Sequence, residues 1–104
     1  MKRFDIWLVN LDPTIGSEIR KTRPAVIVSP DELNAHLATV IVVPLTTGRT
    51  YPFRMSTKVA GKSGVAAIDQ IRTVDRKRLV KKIDTMSAKD GTRLLNSLGE
   101  LFAY

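Results

Sequence analysis

The apolar residues of this chain come in short runs, and proline and glycine cut those runs at intervals that suit strands rather than helices. "DIWLVNL" (5–11), "PAVIVS" (24–29), "TVIVVPL" (39–45), "FRMSTKV" (53–59) and "VAAIDQI" (65–71) are each rich in residues that pack well on a pleated surface. "RLVKKID" (78–84) adds a short amphipathic piece that reads as extended. In the first run Ile6, Leu8 and Asn10 alternate against Trp7, Val9 and Leu11, the period of a strand. Pro24 suits the first position of its strand, where a missing N–H is tolerated, and Pro44 requires its strand to end, bulge or lie at an edge. "DPTIGS", "TTGRTYP" and "AGKSG" supply turns, and "PDELNAHL" can form one helical turn begun by Pro30 and Asp31. The end of the chain differs. Leu94, Leu95, Leu98, Leu101 and Phe102 make one helical stripe, and Ser87 with Asp90 resembles a capping box, so a helix is expected over 88–102. Five or six short strands tend to curl on themselves, because closure protects edges. The expected architecture is mostly β, an SH3-like or OB-like small barrel with a C-terminal α-helix, in one domain spanning 1–104.

Composition narrows the chemistry. There is no cysteine and one histidine, His36, which excludes a disulfide framework, a thiolate metal site and a histidine metal cluster. No apolar run reaches the roughly 18 residues of a membrane span, and "IWLVNL" lacks the cleavage site of a signal peptide, so a cytoplasmic protein with no membrane partner is expected. Net charge is +7, spread over both halves. "IRTVDRKRLVKK" (71–82) holds six basic side chains against Asp75 alone. A basic surface favours polyanions such as nucleic acid; a solvated face that keeps the protein soluble is the plainer alternative.

The densest chemistry lies in "GSEIRKTRPAVIVSP" (16–30), where Glu18, Arg20, Lys21 and Arg23 crowd the entrance of a strand. RNA can be cut without a metal by its own 2′-hydroxyl if one group accepts a proton, another protonates the leaving 5′-oxygen, and cationic donors stabilise the phosphorane. Glu18 can take the proton, and Arg23, made extended by Pro24, can grip a phosphate from a rigid platform. Alternatively, Arg23 pairs with Glu18 or Asp12 and simply ties the loop down. In "PLTTG" (44–48), Thr46 and Thr47 can donate to a phosphate oxygen or serve as strand-end turn residues. "YPF" (51–53) offers aromatic faces to a base, with core packing of Phe53 as the alternative. Asp69, Gln70 and Arg72 can read base edges and hold a backbone, or form an ordinary polar turn. The segments 12–22, 47–52 and 57–63 are the candidate recognition loops, and His36 sits in a surface turn.

"DIWLVNLDPTIGSEIRKTRPAVIVSP", followed by "VVPLTT", "YPF" and "GVAAIDQIRTVDRKRL" in that order, resembles the MazF/PemK family of toxin endoribonucleases over nearly the whole chain. The chain departs from the family pattern at Phe4, Ser17 and Ala67 and in "IRKT" before the Arg-Pro pair. The resemblance implies an SH3-like barrel of the plasmid toxin fold and a type II toxin–antitoxin toxin that works as a homodimer. It implies metal-independent, cofactor-free cleavage of single-stranded RNA or mRNA at short sequences, leaving a 2′,3′-cyclic phosphate and a 5′-hydroxyl. It also implies neutralisation by a cognate, MazE-like antitoxin. By resemblance the catalytic residues are Arg23, Thr46 and Glu18. Ser17, Arg20, Lys21, Thr47, Arg49, Asp69, Gln70 and Arg72 are the candidate RNA contacts. A non-catalytic nucleic-acid-binding barrel and a gyrase-poisoning toxin of the same fold are the rival readings. Exposure to RNA separates the first, and a supercoiling assay the second.

Overall fold

The computed structural model describes residues 1–48 and 52–104. Among them are seven strands: β1 (Asp5–Asn10), β2 (Thr22–Ile27), β3 (Thr39–Thr46), β4 (Arg54–Val59), β5 (Lys62–Ala67), β6 (Arg72–Asp75) and β7 (Leu79–Thr85). Helix α1 (Asp31–His36) lies between β2 and β3, and α2 (Ala88–Leu101) ends the chain. All pairings are antiparallel, in the order β4-β5-β3-β2-β1-β7, with β6 joined to the first half of β3. The result is the expected mostly-β half-barrel with a C-terminal helix.

The near-continuous apolar runs of β2 and β3 have a simple cause: both faces of these strands are covered. Val26, Val28, Val43 and Leu45 join Ile6, Ile68, Met86 and Leu94 in one core cluster. Their alternate neighbours Ala25, Ile27, Val40 and Val42 join Val9, Leu11 and Val74 in a second. In β1 the expected alternation holds: Ile6 belongs to the first cluster, while Trp7, Val9 and Leu11 pack with the second. The register shifts between β1 and β7, after Ile6 and after Leu8, leave the extra residues on β7.

Two prolines shape the centre of the sheet. Strand β2 starts at Thr22, two residues earlier than expected, so Pro24 is its third residue and pairs with Leu8. The Val28 N–H donates to the Ile41 carbonyl on β3, so the two-residue alternation aims the nitrogens of Val26 and Pro24 at β3 as well. Pro24 has no hydrogen to offer, and the β2–β3 register stops at Ala25–Pro44. Strand β3 runs through Pro44 rather than ending there. Its outer partner changes from β6, which reaches Val42, to β5, which begins at Leu45, and Pro44 occupies the gap.

Other boundaries differ from the sequence reading. The turn in "AGKSG" is only Ala60–Gly61, both at positive φ, and Lys62, Ser63 and Gly64 already belong to β5. Strand β5 stops at Ala67, Ile68–Gln70 form a 3-10 turn, and 72–75 is a strand rather than a polar turn. Phe53 is 44% exposed and takes no place in the core. Helix α2 covers the first cluster with Leu94, Leu98 and Leu101, while Phe102 stays exposed. The Ser87 hydroxyl accepts from the Asp90 N–H as a cap, but the Asp90 carboxylate accepts from the Thr57 hydroxyl at 2.8 Å instead of returning to Ser87. Gly91 does more than weaken the helix: a Cβ there would stand 2.6 Å from the Phe4 ring, so its bareness lets the N-terminal segment dock.

Candidate active site

Beyond Ala25 and Pro44 the strands β2 and β3 part, and a cleft of about 310 Å³ opens between them. Its floor is apolar: Pro24, Leu45, Val59 and Ile83. Its rim is polar: Arg23 and Thr46 flank the point of divergence, with Thr47, Lys62 and Ser63 completing it. The missing N–H of Pro24 therefore sets Arg23 and Thr46, which follow from two different strands, around one space.

Arg23 is half-buried, and its Nε donates to the Arg20 carbonyl at 2.9 Å. Among the described residues its terminal nitrogens meet no carboxylate. The two acids that could have paired with it are engaged elsewhere: Glu18 Oε1 accepts from the Ile15 N–H at 2.6 Å, and Asp12 Oδ1 from the Lys21 N–H at 3.1 Å. The tie-down alternative is thus replaced by a guanidinium held through Nε with its fork open. The Thr46 hydroxyl donates to the Thr47 carbonyl at 3.2 Å, a long bond that a better acceptor can displace.

A second cleft of about 580 Å³ gathers Ser17, Glu18, Asp69, Gln70 and Arg72 beside Pro44. Glu18 is therefore not among the residues lining the Arg23–Thr46 cleft. Most polar groups here are engaged with the protein itself. Arg54 holds Asp69 in a two-pronged pair, both contacts at 2.7 Å. That hydrogen bonding outweighs partial burial and holds the Asp69 carboxyl below its ordinary value, so it is a poor proton acceptor. Gln70 Oε1 accepts from the Ile19 N–H at 2.9 Å, and Arg72 donates to the Leu11 carbonyl at 3.1 Å. These two side chains brace the loop between β1 and β2. Arg20 and Lys21 are exposed and line neither cleft, nor does His36 on α1. Arg49 and Tyr51 lie outside the described residues.

The sequence reading held Lys62 and Ser63 only as part of the candidate recognition loop 57–63, without singling them out, and missed Arg54 as the partner of Asp69. Gly61 between two alternating runs was the one available signal for a tight turn there, which would have moved Lys62 from loop to strand. That hairpin is anchored from β7: Asp84 Oδ2 accepts from the Ala60 N–H at 2.7 Å, and Oδ1 from the Thr85 N–H at 2.7 Å. Those two donors hold the Asp84 carboxyl below its ordinary value. Among the described residues no three His, Cys, Asp or Glu side chains are placed to hold a metal ion, and no helix is long and apolar enough to cross a membrane.

An open guanidinium and a weakly held hydroxyl over an apolar floor, on a basic half-barrel, define a site suited to a phosphodiester with its sugar or base. Comparison with known proteins gives the family. The model for PemK-like, MazF-like toxins of type II toxin-antitoxin systems matches residues 2–102. Endoribonuclease PemK of Escherichia coli is 45% identical over 83 residues, 74% of this chain, and the match spans 62% of PemK's own length. Endoribonuclease MazF9 of Mycobacterium tuberculosis is 36% identical over 110 residues, covering 94% of this chain and 92% of MazF9. The crystal structure of MazF from Deinococcus radiodurans superposes with a TM-score of 0.86 at 27% identity, covering 97% of this chain and 94% of that one. An endoribonuclease from a mycobacterial species, solved with its cognate antitoxin, shares the fold with a TM-score of 0.82 at 21% identity, over 100% and 98% of the two chains. The chain belongs to the family of PemK-like, MazF-like toxins of type II toxin-antitoxin systems.

Proposed function

We propose that residues 1–104 form a single toxin domain that cleaves single-stranded RNA, mRNA included, at the Arg23–Thr46 cleft without a metal ion. The observation that carries this reading is the open Arg23 fork beside the Thr46 hydroxyl in one cleft. The names of PemK and MazF9 as endoribonucleases support it. In this scheme the 2′-oxygen attacks the adjacent phosphorus and the P–O5′ bond breaks. The products are a 2′,3′-cyclic phosphate and a 5′-hydroxyl. Arg23 stabilises the charge that gathers on the phosphorane oxygens, and Thr46 donates to a nonbridging oxygen. Glu18 takes the 2′-hydroxyl proton through its Oε2, and the departing 5′-oxygen takes a proton from water, which balances the one Glu18 has accepted. RNA on either side of the cut runs over the second cleft, where Ser17, Asp69, Gln70 and Arg72 contact it, and along Arg20, Lys21, Thr47 and Arg49.

The protein acts in the cytoplasm as a homodimer and is neutralised by a cognate, MazE-like antitoxin. Solved complexes of the mycobacterial endoribonuclease with its cognate antitoxin and of Deinococcus MazE–MazF support the antitoxin partner. The test is to incubate the protein with a long RNA in EDTA and map the new 5′ ends. Discrete ends bearing a 5′-hydroxyl at a recurring short sequence are expected. Intact RNA that is merely shifted in a gel would replace this reading with the non-catalytic one.

A further inference from the structure

Lys62 has no place in the reaction scheme above, yet it stands on the rim of the same cleft as Arg23 and Thr46. Three observations make it more than a surface lysine. Among the described residues it has no ion pair, and Asp84, which anchors its hairpin, has both carboxylate oxygens engaged by backbone N–H groups. It is the first residue of β5, directly after a two-residue turn whose Ala60 N–H is fixed to β7, so its backbone is held by two strands. Finally, the register fixes its offset from the reacting groups. Val65 lies opposite Thr46, and Lys62 comes three residues before Val65 on β5, so its backbone stands about 10 Å away along the strand.

We infer that Lys62 binds the RNA phosphate next to the scissile one, so that the substrate backbone spans the apolar floor between two cations. Arg23 holds the reacting phosphate at one wall; Lys62 holds its neighbour at the other. Pro24, Leu45, Val59 and Ile83 lie between and receive the intervening sugar or base. The inference rests on the ribonuclease reading for its substrate. A lysine suits this task better than the first: it is a compact charge on a flexible stem that tolerates a moving backbone, whereas the reacting phosphate calls for a planar fork.

The test uses the intact protein and two substitutions, Lys62→Gln and Lys62→Arg. The probe is a single-stranded DNA oligonucleotide, which lacks the 2′-hydroxyl and cannot be cut by this route. Loss of one phosphate contact lowers the slope of log binding constant against log salt by about 0.7. Lys62→Gln is expected to show that drop and to raise KM for RNA roughly three- to tenfold, with the effect falling on KM more than on kcat. Lys62→Arg is expected to restore both. An unchanged salt slope and KM in Lys62→Gln would overturn the inference. If the parent fails to cut RNA while Lys62→Gln still lowers the slope, the phosphate contact stands and the ribonuclease reading falls.

Discussion

The two clefts hold the same kinds of side chain and put them to opposite uses. In the larger one Asp69, Gln70 and Arg72 are bound to Arg54, to the Ile19 N–H and to the Leu11 carbonyl, so its polarity is mostly internal architecture. In the smaller one Arg23 is steadied through a single nitrogen and Lys62 has no ion pair among the described residues, over a floor of apolar groups. A count of charged residues would favour the first as the reactive centre. What separates them is unsatisfied hydrogen-bonding capacity, since groups already paired have little to gain from a ligand.

That contrast breaks most visibly at Arg23. Arg23→Ala is expected to lower cleavage by about 10²- to 10³-fold, with a melting temperature close to the parent's, because no intramolecular carboxylate loses a partner. Thr46→Val should follow in the same direction with a loss of about tenfold or more. Should either substitution lower the melting temperature markedly while sparing activity, the contrast is inverted. Gln70→Ala sharpens it from the other side. It strands the Ile19 N–H, so the expected result is a stability loss of about 1 kcal/mol by denaturant titration, with activity reduced by less than roughly tenfold. The smallest effect concerns Asp84, whose folded-state pKa lies below the ordinary 3.8 of the unfolded chain. Its stabilisation is therefore complete above that value and disappears as pH falls through the lower folded one. Thermal melts of the parent and Asp84→Ala should differ by a constant amount at neutral and mildly acidic pH and converge below about pH 4. A gap that persists into strong acid would mean the carboxylate charge is irrelevant to the hairpin.

Much of this organisation was legible in residue order. The β-branched runs at 24–29 and 39–45 declare strands because both of their faces are buried, and the leucine stripe declares α2 because only one of its faces is. Arg23 and Thr46 stood out because each adjoins a core strand next to a proline. What escaped was local. Strand β6 has a single buried apolar residue, Val74, too little for a periodic signal. Strand β5 begins after an alanine at φ 50°, a conformation that residue rarely announces, and so Lys62 was placed in a loop. The engagement of Asp69 depends on Arg54, fifteen positions earlier and across the β4–β5 ladder, a proximity that no short window contains.

The prolines at 24 and 44 carry a consequence for how such a protein can vary. The opening between β2 and β3 exists because the rung at Pro24 cannot be built, and Pro44 leaves a second rung missing on the outer edge of β3; both are facts of main-chain chemistry that side-chain replacement around them leaves untouched. Substitutions along the floor and walls can therefore remodel what the groove accepts while the groove itself persists. Reactivity and selectivity are in this sense anchored at different levels of the polymer, and mutation can alter the second with little risk to the first.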